Sequence, residues 1–406
     1  MKRKVVLYTG SYPYGQTTES FVGPELEVVC SLEDYEVVVV PVVKDSPLRA
    51  IPNGIVLDNA ISNAGITYRL FSVLLIFSPF SISLIVQDWK EIKSLRFFMQ
   101  LLKYLYASNL VYLDLKKRAK TTESITFYSY WMSYAPIAFG RYKVKHPGNQ
   151  HHFVTRGHGG DVYTVDRGLY YPFRIFVLKH IDRVYIVSNY GRDYLRNKYP
   201  IYQTKIDRAY LGVMPLKVSA SPNSSIYKVV SCSSVYDFKR VDLLFRSLEK
   251  YATSHSDKMI EWTHFGGGYL FDELKEEIKE DHHAQNFSIV LKGRCNNEEV
   301  LHHYCTEGYK VFIHLSTTEG LPVSMMEALS ASIPIIATSV GGVPEIVNEL
   351  TGQLLNVDFD QKDFDEALDN VLANQENLSR TANAFYNQNF NAINNYRNFY
   401  DTITNL

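Results

Sequence analysis

The chain has 406 residues, 46% of them hydrophobic and 21% charged, with a formal net charge of −1. This is soluble globular composition with enough chain for two or three domains, and it excludes a disulfide-stapled mini-protein, a fibrous repeat and a disordered chain. The near-zero total hides two opposite halves: residues 1–215 hold 27 Lys and Arg against 17 Asp and Glu, a net +10, and residues 216–406 carry a net −11. Such asymmetry directs the first half toward membrane headgroups, a phosphorylated acceptor or nucleic acid, or simply toward the second half.

Along the chain, Met1-Lys2-Arg3-Lys4 and Val5 to Tyr8 break at Thr9-Gly10-Ser11 before a secretory apolar region accumulates, so no export is expected. The Val5 run leads into a glycine-containing loop, Gly10 to Gly15, then an expected helix over Glu19 to Leu32 and a strand over Glu36 to Val43. Leu70 to Val86 is apolar but interrupted by serines and Pro79; too short to span a bilayer, it reads as a buried helix pair or an interfacial segment. Lys90 to Lys120 places Ile92, Leu95, Met99, Leu102, Tyr106, Leu110 and Leu113 three or four apart, with eight basic residues against Glu91 and Asp114. That is a basic amphipathic segment, which either packs on its own sheet or docks on anionic membrane. Strands follow at Ile125 to Tyr128, His152 to Thr155 and Arg183 to Val187, then a helix through Lys198. Alternating β and α elements imply a parallel sheet with helices on both faces.

A linker-like stretch from Gly212 to Ser225, with Pro215 and Pro222, marks a domain boundary, and the same grammar restarts beyond it. Strands are expected at Tyr227–Ser231, Ile260–Phe265, Ser288–Lys292, Val311–Leu315, Pro334–Thr338 and Gly352–Val357. Helices are expected at Val241–Tyr251, Tyr269–Lys279, Asn297–Thr306 and Val323–Ala331, and the tail from Leu378 to Thr404 reads as helical. The four cysteines, Cys30, Cys232, Cys295 and Cys305, stand far apart without zinc spacing and read as reduced thiols of a cytosolic protein. The pairs His151-His152, His282-His283 and His302-His303 also lack ligand spacing, so no metal site is expected. Neither a nucleophile triad nor a P-loop can be argued from spacing.

The chemistry concentrates in Ser316-Thr-Thr-Glu319-Gly-Leu-Pro-Val-Ser-Met-Met-Glu327-Ala-Leu. A strand ending at Leu315 delivers Glu319 and Gly320 to a loop, and Pro322 opens a helix whose free N–H groups suit a diphosphate. Two carboxylates, one on the loop and one on the helix, suit two sets of sugar hydroxyls, because an ionised carboxylate only accepts. This segment, with Ile333 to Glu345 and its Gly341-Gly342, resembles the E-x7-E signature and following G-G-x-x-E loop of glycosyltransferase family 4. The resemblance implies an α/β GT-B fold of two doubly wound Rossmann-like domains facing a central cleft. It divides the chain into an acceptor-binding domain over 1–215, a nucleotide-sugar-binding domain over 216–385 and a C-terminal helix over 386–406 crossing back to the first domain.

It further implies metal-independent, retaining transfer from a nucleotide-diphosphate sugar, without a cofactor, to a glycan or polyprenyl-linked acceptor of surface-polysaccharide synthesis, and no nucleic-acid partner. Glu319 would contact the donor sugar and Glu327 the ribose, with Gly320, Leu321, Pro322, Val323 and Ser324 holding sugar and diphosphate. Ser231 to Leu244 is similar to the family segment whose lysine, here Lys239, binds the diphosphate; Ser234 stands where many members have Arg, which leaves Arg240 or Arg156 to supply that charge. Gly266, Gly267, Lys292, Gly293 and Arg294 fall at strand ends that border the nucleotide. Thr155 to Tyr163 resembles the H-G loop of the first domain, placing His158 on the sugar, with Arg156, Asp161 and Gly15 on the acceptor side. The expected location is cytoplasmic, with membrane contact through 90–120. The competing readings are a nucleotide-sugar epimerase and a catalytically idle partner subunit.

Overall fold

The computed structural model describes residues 2–15, 19, 21–163, 170–219, 225–280 and 284–406; Ser20, Pro222 and the His282-His283 pair lie outside them. The chain divides into two compact units, Met1–Leu211 with Ile393–Leu406, and Gly212–Ala392.

The first unit is built on β1 (Arg3–Thr9), β2 (Tyr35–Pro41), β3 (Val56–Leu57), β4 (Ile125–Ser129), β5 (His152–Gly157), β6 (Arg183–Ile186) and β7 (Ile206–Arg208). They form one parallel sheet in the order β3-β2-β1-β4-β5-β6-β7. Val5, Val6, Leu7 and Tyr8 of β1 are all buried, which is why that strand reads as a continuous apolar run: helices cover both faces of its sheet. The second unit repeats the plan with β8 (Ile226–Cys232), β9 (Met259–Phe265), β10 (Phe287–Gly293), β11 (Val311–His314), β12 (Ile335–Thr338) and β13 (Gly352–Leu355), in the parallel order β10-β9-β8-β11-β12-β13. In each sheet the order reverses beside the first strand of the unit, β1/β4 and β8/β11. Doubly wound sheets bind ligands at such switch points, beyond the carboxyl ends of the strands.

Several expectations change. The helix expected from Glu19 begins only at Val22, because Glu19 adopts φ 53° and folds back on the preceding loop. The tail is two helices, Gln375–Asn389 and Ala392–Thr404, and residue 386 falls inside the first. The break is fixed by Val213, whose N–H donates to Phe390 O while its carbonyl accepts from Ala392 N. The segment expected to be a buried helix pair or an interfacial segment is a helix pair, Ile66–Leu74 and Pro79–Asp88, and it is not fully buried: Leu70, Phe71 and Val86 on it are exposed. The stripe expected to be the apolar face over 90–120 is met in part. Leu110 is buried and Ile92, Leu102 and Tyr106 pack on the core, but helix Leu95–Arg118 also buries Leu101, Leu105, Tyr112 and Leu115, and leaves Leu95 and Met99 in solvent.

Candidate functional site

In the second unit, β11 ends at His314, and the chain turns through Glu319 and Gly320 into helix Val323–Ser330. Pro322 is the cap of that helix, with φ −73° and ψ 116°, one position earlier than the expected first-turn proline. The loop is held from outside by Gly341 and Gly342: Gly342 N–H donates to Gly320 O at 2.9 Å, and a side chain on Gly341, at φ 54°, would meet Glu319 O at 2.0 Å. The glycine pair of the sequence pattern is therefore needed for close backbone approach.

Two of the expected residues, Lys239 and Glu319, meet here. Lys239, from the turn after β8, donates to Glu319 Oε1. His314 Nε2 donates to the same oxygen at 2.6 Å, and Ser316 Oγ lies 2.7 Å from that nitrogen. Burial pushes the Glu319 carboxyl up, but the His314 hydrogen bond and the charges of His314 and Lys239 outweigh it and hold the group down at about 2. Glu327 has a different environment: burial pushes it up to about 7, opposed only by the amide of Asn297, which donates to Oε1 at 2.8 Å. His314, Ser316 and Asn297 were not foreseen. A histidine buried at the last position of a core strand, five residues before Glu319, was the available signal for the first.

The other residues expected on the donor side lie at the same edge of the sheet. Gly266 N–H donates to Gly293 O at 2.8 Å, joining the ends of β9 and β10, and Gly267 O accepts from Val235 N. Lys292 and Arg294 are exposed there. Leu321 is buried, and Val323 and Ser324 are half-buried at the helix start. Arg240 departs from expectation. Its Nε donates to Leu315 O at 2.5 Å and its Nη1 to Val357 O at 2.8 Å, so it ties the ends of β11 and β13 together instead of standing ready for an anion. Among the described residues, no group of three or more His, Cys, Asp or Glu is arranged to hold a metal ion.

In the first unit, His158 follows β5 and lies between Tyr130 and Trp131, 4.7 Å from each ring centroid. Both its nitrogens are buried without a hydrogen-bond partner among the described residues, and burial with the nearby Arg156 charge holds it well below the usual histidine range. Two residues expected on the acceptor side are structural. Arg156 is 0% exposed; it donates to Glu25 Oε2 at 2.6 Å and lies 3.9 Å over the Phe399 ring. Asp161 is buried and accepts from His158 N and Met132 N, both at 2.6 Å, fixing the turn that carries the histidine. Gly15 uses φ 85° and donates to Pro47 O. The organiser of this region is Glu19, whose carboxylate accepts from the N–H groups of Gly10, Ser11 and Tyr12 and from Trp131 Nε1. It joins the loop after β1 to the turn after β4.

Residues 220–388 match a family model described as glycosyl transferases group 1. Over 191 residues the chain is 29% identical to the phosphatidylinositol N-acetylglucosaminyltransferase GPI3 subunit of Saccharomyces cerevisiae, covering 43% of this chain and 40% of that protein. Over 156 residues it is 30% identical to the Escherichia coli O-antigen biosynthesis glycosyltransferase WbnH, covering 38% and 40%. The chain thus spans well under half the length of these curated relatives. Among solved structures, Anabaena HepE in complex with UDP superposes with a TM-score of 0.65 at 12% identity over 100% of both chains. The lipopolysaccharide outer core galactosyltransferase WaaB gives 0.65 at 13% identity, over 98% of this chain and 99% of that one. The fold class is therefore that of the GT-B proteins, α/β with two Rossmann-like parallel-sheet domains.

Proposed function

We propose that the protein is a retaining glycosyltransferase that moves a sugar from a nucleotide-diphosphate donor to a hydroxyl of a glycan or lipid-linked glycan precursor. The observation that carries this reading is the Lys239–Glu319–His314 cluster at the carboxyl end of β11, inside the segment that matches the family. In the unliganded protein Lys239 neutralises Glu319. A donor diphosphate, with the N-terminal amides of helix Val323–Ser330, competes for that lysine. Its arrival frees Glu319, already ionised, to accept from the sugar hydroxyls. Lys239 and the helix amides then stabilise the charge that grows on the leaving diphosphate, whose oxygen takes the proton of the incoming hydroxyl on the same face.

Glu327 accepts from the ribose in this scheme. Because Arg240 and Arg156 are both committed to structural partners, Arg294 is the cation proposed to replace the one missing at Ser234. The relatives' names mention phosphatidylinositol and O-antigen, which supports an acceptor among lipids and surface glycans.

A thermal-shift screen of uridine, guanosine and adenosine diphosphates tests the donor assignment. The correct nucleotide at 100 times its dissociation constant stabilises by about 2.7 kcal/mol, and Lys239→Ala weakens that shift. Glu319→Gln abolishes transfer with nucleotide binding retained. EDTA leaves transfer intact, since diphosphate charge is met by Lys239 and backbone amides. Wild-type rates in both variants would refute the site.

A further inference from the structure

The helix pair in the first unit is apolar on both sides. Where Ile66–Leu74 and Pro79–Asp88 meet the rest of the unit, Leu84 is buried and Tyr68, Phe80 and Ile85 pack on the core beside the fully buried Ser72 and Ser81. Ser72 O accepts from Asn109 Nδ2, Asn109 in turn accepts from Arg141, and Ser81 Oγ donates to Leu75 O. On the outer side Ile66, Leu70, Leu74 and Phe77, at helical spacing, are 57–74% exposed, and Phe71 beside them is 52% exposed. Val86, Trp89 and Leu95 continue the apolar surface at 64–77%. A water-facing amphipathic helix has a polar outer side, and soluble proteins rarely expose a contiguous apolar patch of this kind.

Charge identifies what covers it. Between residues 66 and 120 eight Lys and Arg are exposed, and Glu91 is the one exposed acid. The other two acids turn inward, Asp88 onto Tyr170 OH and Phe173 N, Asp114 onto Tyr8 OH and Arg118. Beside Phe71, a pocket of about 490 Å³ is lined by Tyr68, Leu113, Lys116, Lys117 and Lys120, so three ammonium groups meet an apolar wall. A second copy of this surface would bring like charges together, whereas an anionic bilayer offers phosphates above acyl chains. The helical stretch 66–77 is about 18 Å long, short of the roughly 30 Å hydrocarbon core, and is bent by 56° from the helix that follows.

We propose that residues 66–99 form a bilayer-docking surface: the helix pair lies in the headgroup boundary of an anionic membrane, Leu70, Phe71, Leu74 and Phe77 enter the acyl layer, and Lys116, Lys117 and Lys120 hold a lipid phosphate. Docking goes beyond the transfer reading and needs no donor, so either can fail alone. The full chain is sedimented with vesicles of phosphatidylcholine alone or of equal parts phosphatidylcholine and phosphatidylglycerol. The mixed vesicles bind it, and the exposed Trp89 shifts to shorter emission wavelength. High salt releases it. Lys116→Gln, Lys117→Gln and Lys120→Gln together weaken binding about a hundredfold, and Leu70→Ser with Phe71→Ser and Phe77→Ser removes it with circular dichroism unchanged. Binding that ignores phosphatidylglycerol, survives either set of substitutions or resists carbonate extraction would overturn the proposal, as would concentration-dependent self-association abolished by the serine variants.

Discussion

Glu319 and Glu327 begin with the same carboxyl chemistry and separate because their neighbours differ. Glu319 has the Lys239 ammonium and a hydrogen bond from His314 beside it and stays ionised throughout the physiological range. Glu327 has one neutral amide donor, and burial leaves it titrating at about 7. Its folded value lies above the ordinary 4.5, so its ionisation costs stability as pH rises from about 5 to beyond 7, while the carboxylate needed for the proposed ribose contact appears over the upper part of that window. Nucleotide affinity is therefore expected to rise about tenfold between pH 6 and pH 8 as unliganded stability falls. Calorimetric titration and urea melts across this range, wild type against Glu327→Gln, isolate the effect, since the buried Asp161, pushed up to about 6, is present in both. The two glutamates were legible as a pair from spacing and chain context. Their opposite acidities were not, because His314 and Asn297 reach them only through the fold. Arg156 shows the converse failure: adjacent to an H-G pair it looks like a ligand contact, and only the placement of Glu25 and Phe399 reveals a buried ion pair.

Among the elements, those with their own start signals were readable to the residue. Helix Asn297–Thr306 begins where expected because Asn296 caps it, its side chain accepting from Glu299 N at 2.8 Å. Strands β3 and β7, of two and three residues, are too short to show a period and went unseen. Helix Leu95–Arg118 was legible only in part, because apolar residues lie around more than one face, and spacing does not tell that Leu101 and Leu105 are buried along with Leu110 while Leu95 and Met99 are not. The loop between β12 and β13 lends itself to a direct test. Gly341→Ala places a methyl against Glu319 O, a backbone atom that can yield only by moving the site loop, so nucleotide affinity should fall at least tenfold with little change in secondary structure. Gly23→Ala, in helix Val22–Cys30 with nothing within 4 Å of the added carbon, stabilises by up to about 1 kcal/mol and leaves binding unchanged. Equal affinity in the two variants would mean that the Gly341 contact does not hold the loop.

For the molecule as a whole, two doubly wound units were legible from the repeated β/α alternation, but the route of the tail was open to sequence reasoning only through resemblance. The last helix belongs to the first unit, where Tyr396, Phe399, Tyr400 and Ile403 are 0–4% exposed. Phe399 and Tyr400 pack edge-on against Tyr128 of β4, and Arg156 lies over the Phe399 ring. Asp401 accepts from Tyr35 OH at 2.7 Å and pairs with Arg3 at 2.8 Å, so the first strand and the last helix are joined. At about 1.5–3 kcal/mol for each buried large side chain, the four contribute on the order of 6–12 kcal/mol, comparable to the entire stability of a typical domain. Removing them also opens a buried ion pair to water on one side. Truncation after Ala392 should therefore unfold the first unit and spare the second, whose own core is closed by Val229, Trp262, Ile313 and Phe364. In scanning calorimetry the truncated chain loses one transition and keeps a nucleotide-responsive one. A single transition shared by both units, or a truncated chain with full native content, would show that the tail is not what completes the first sheet.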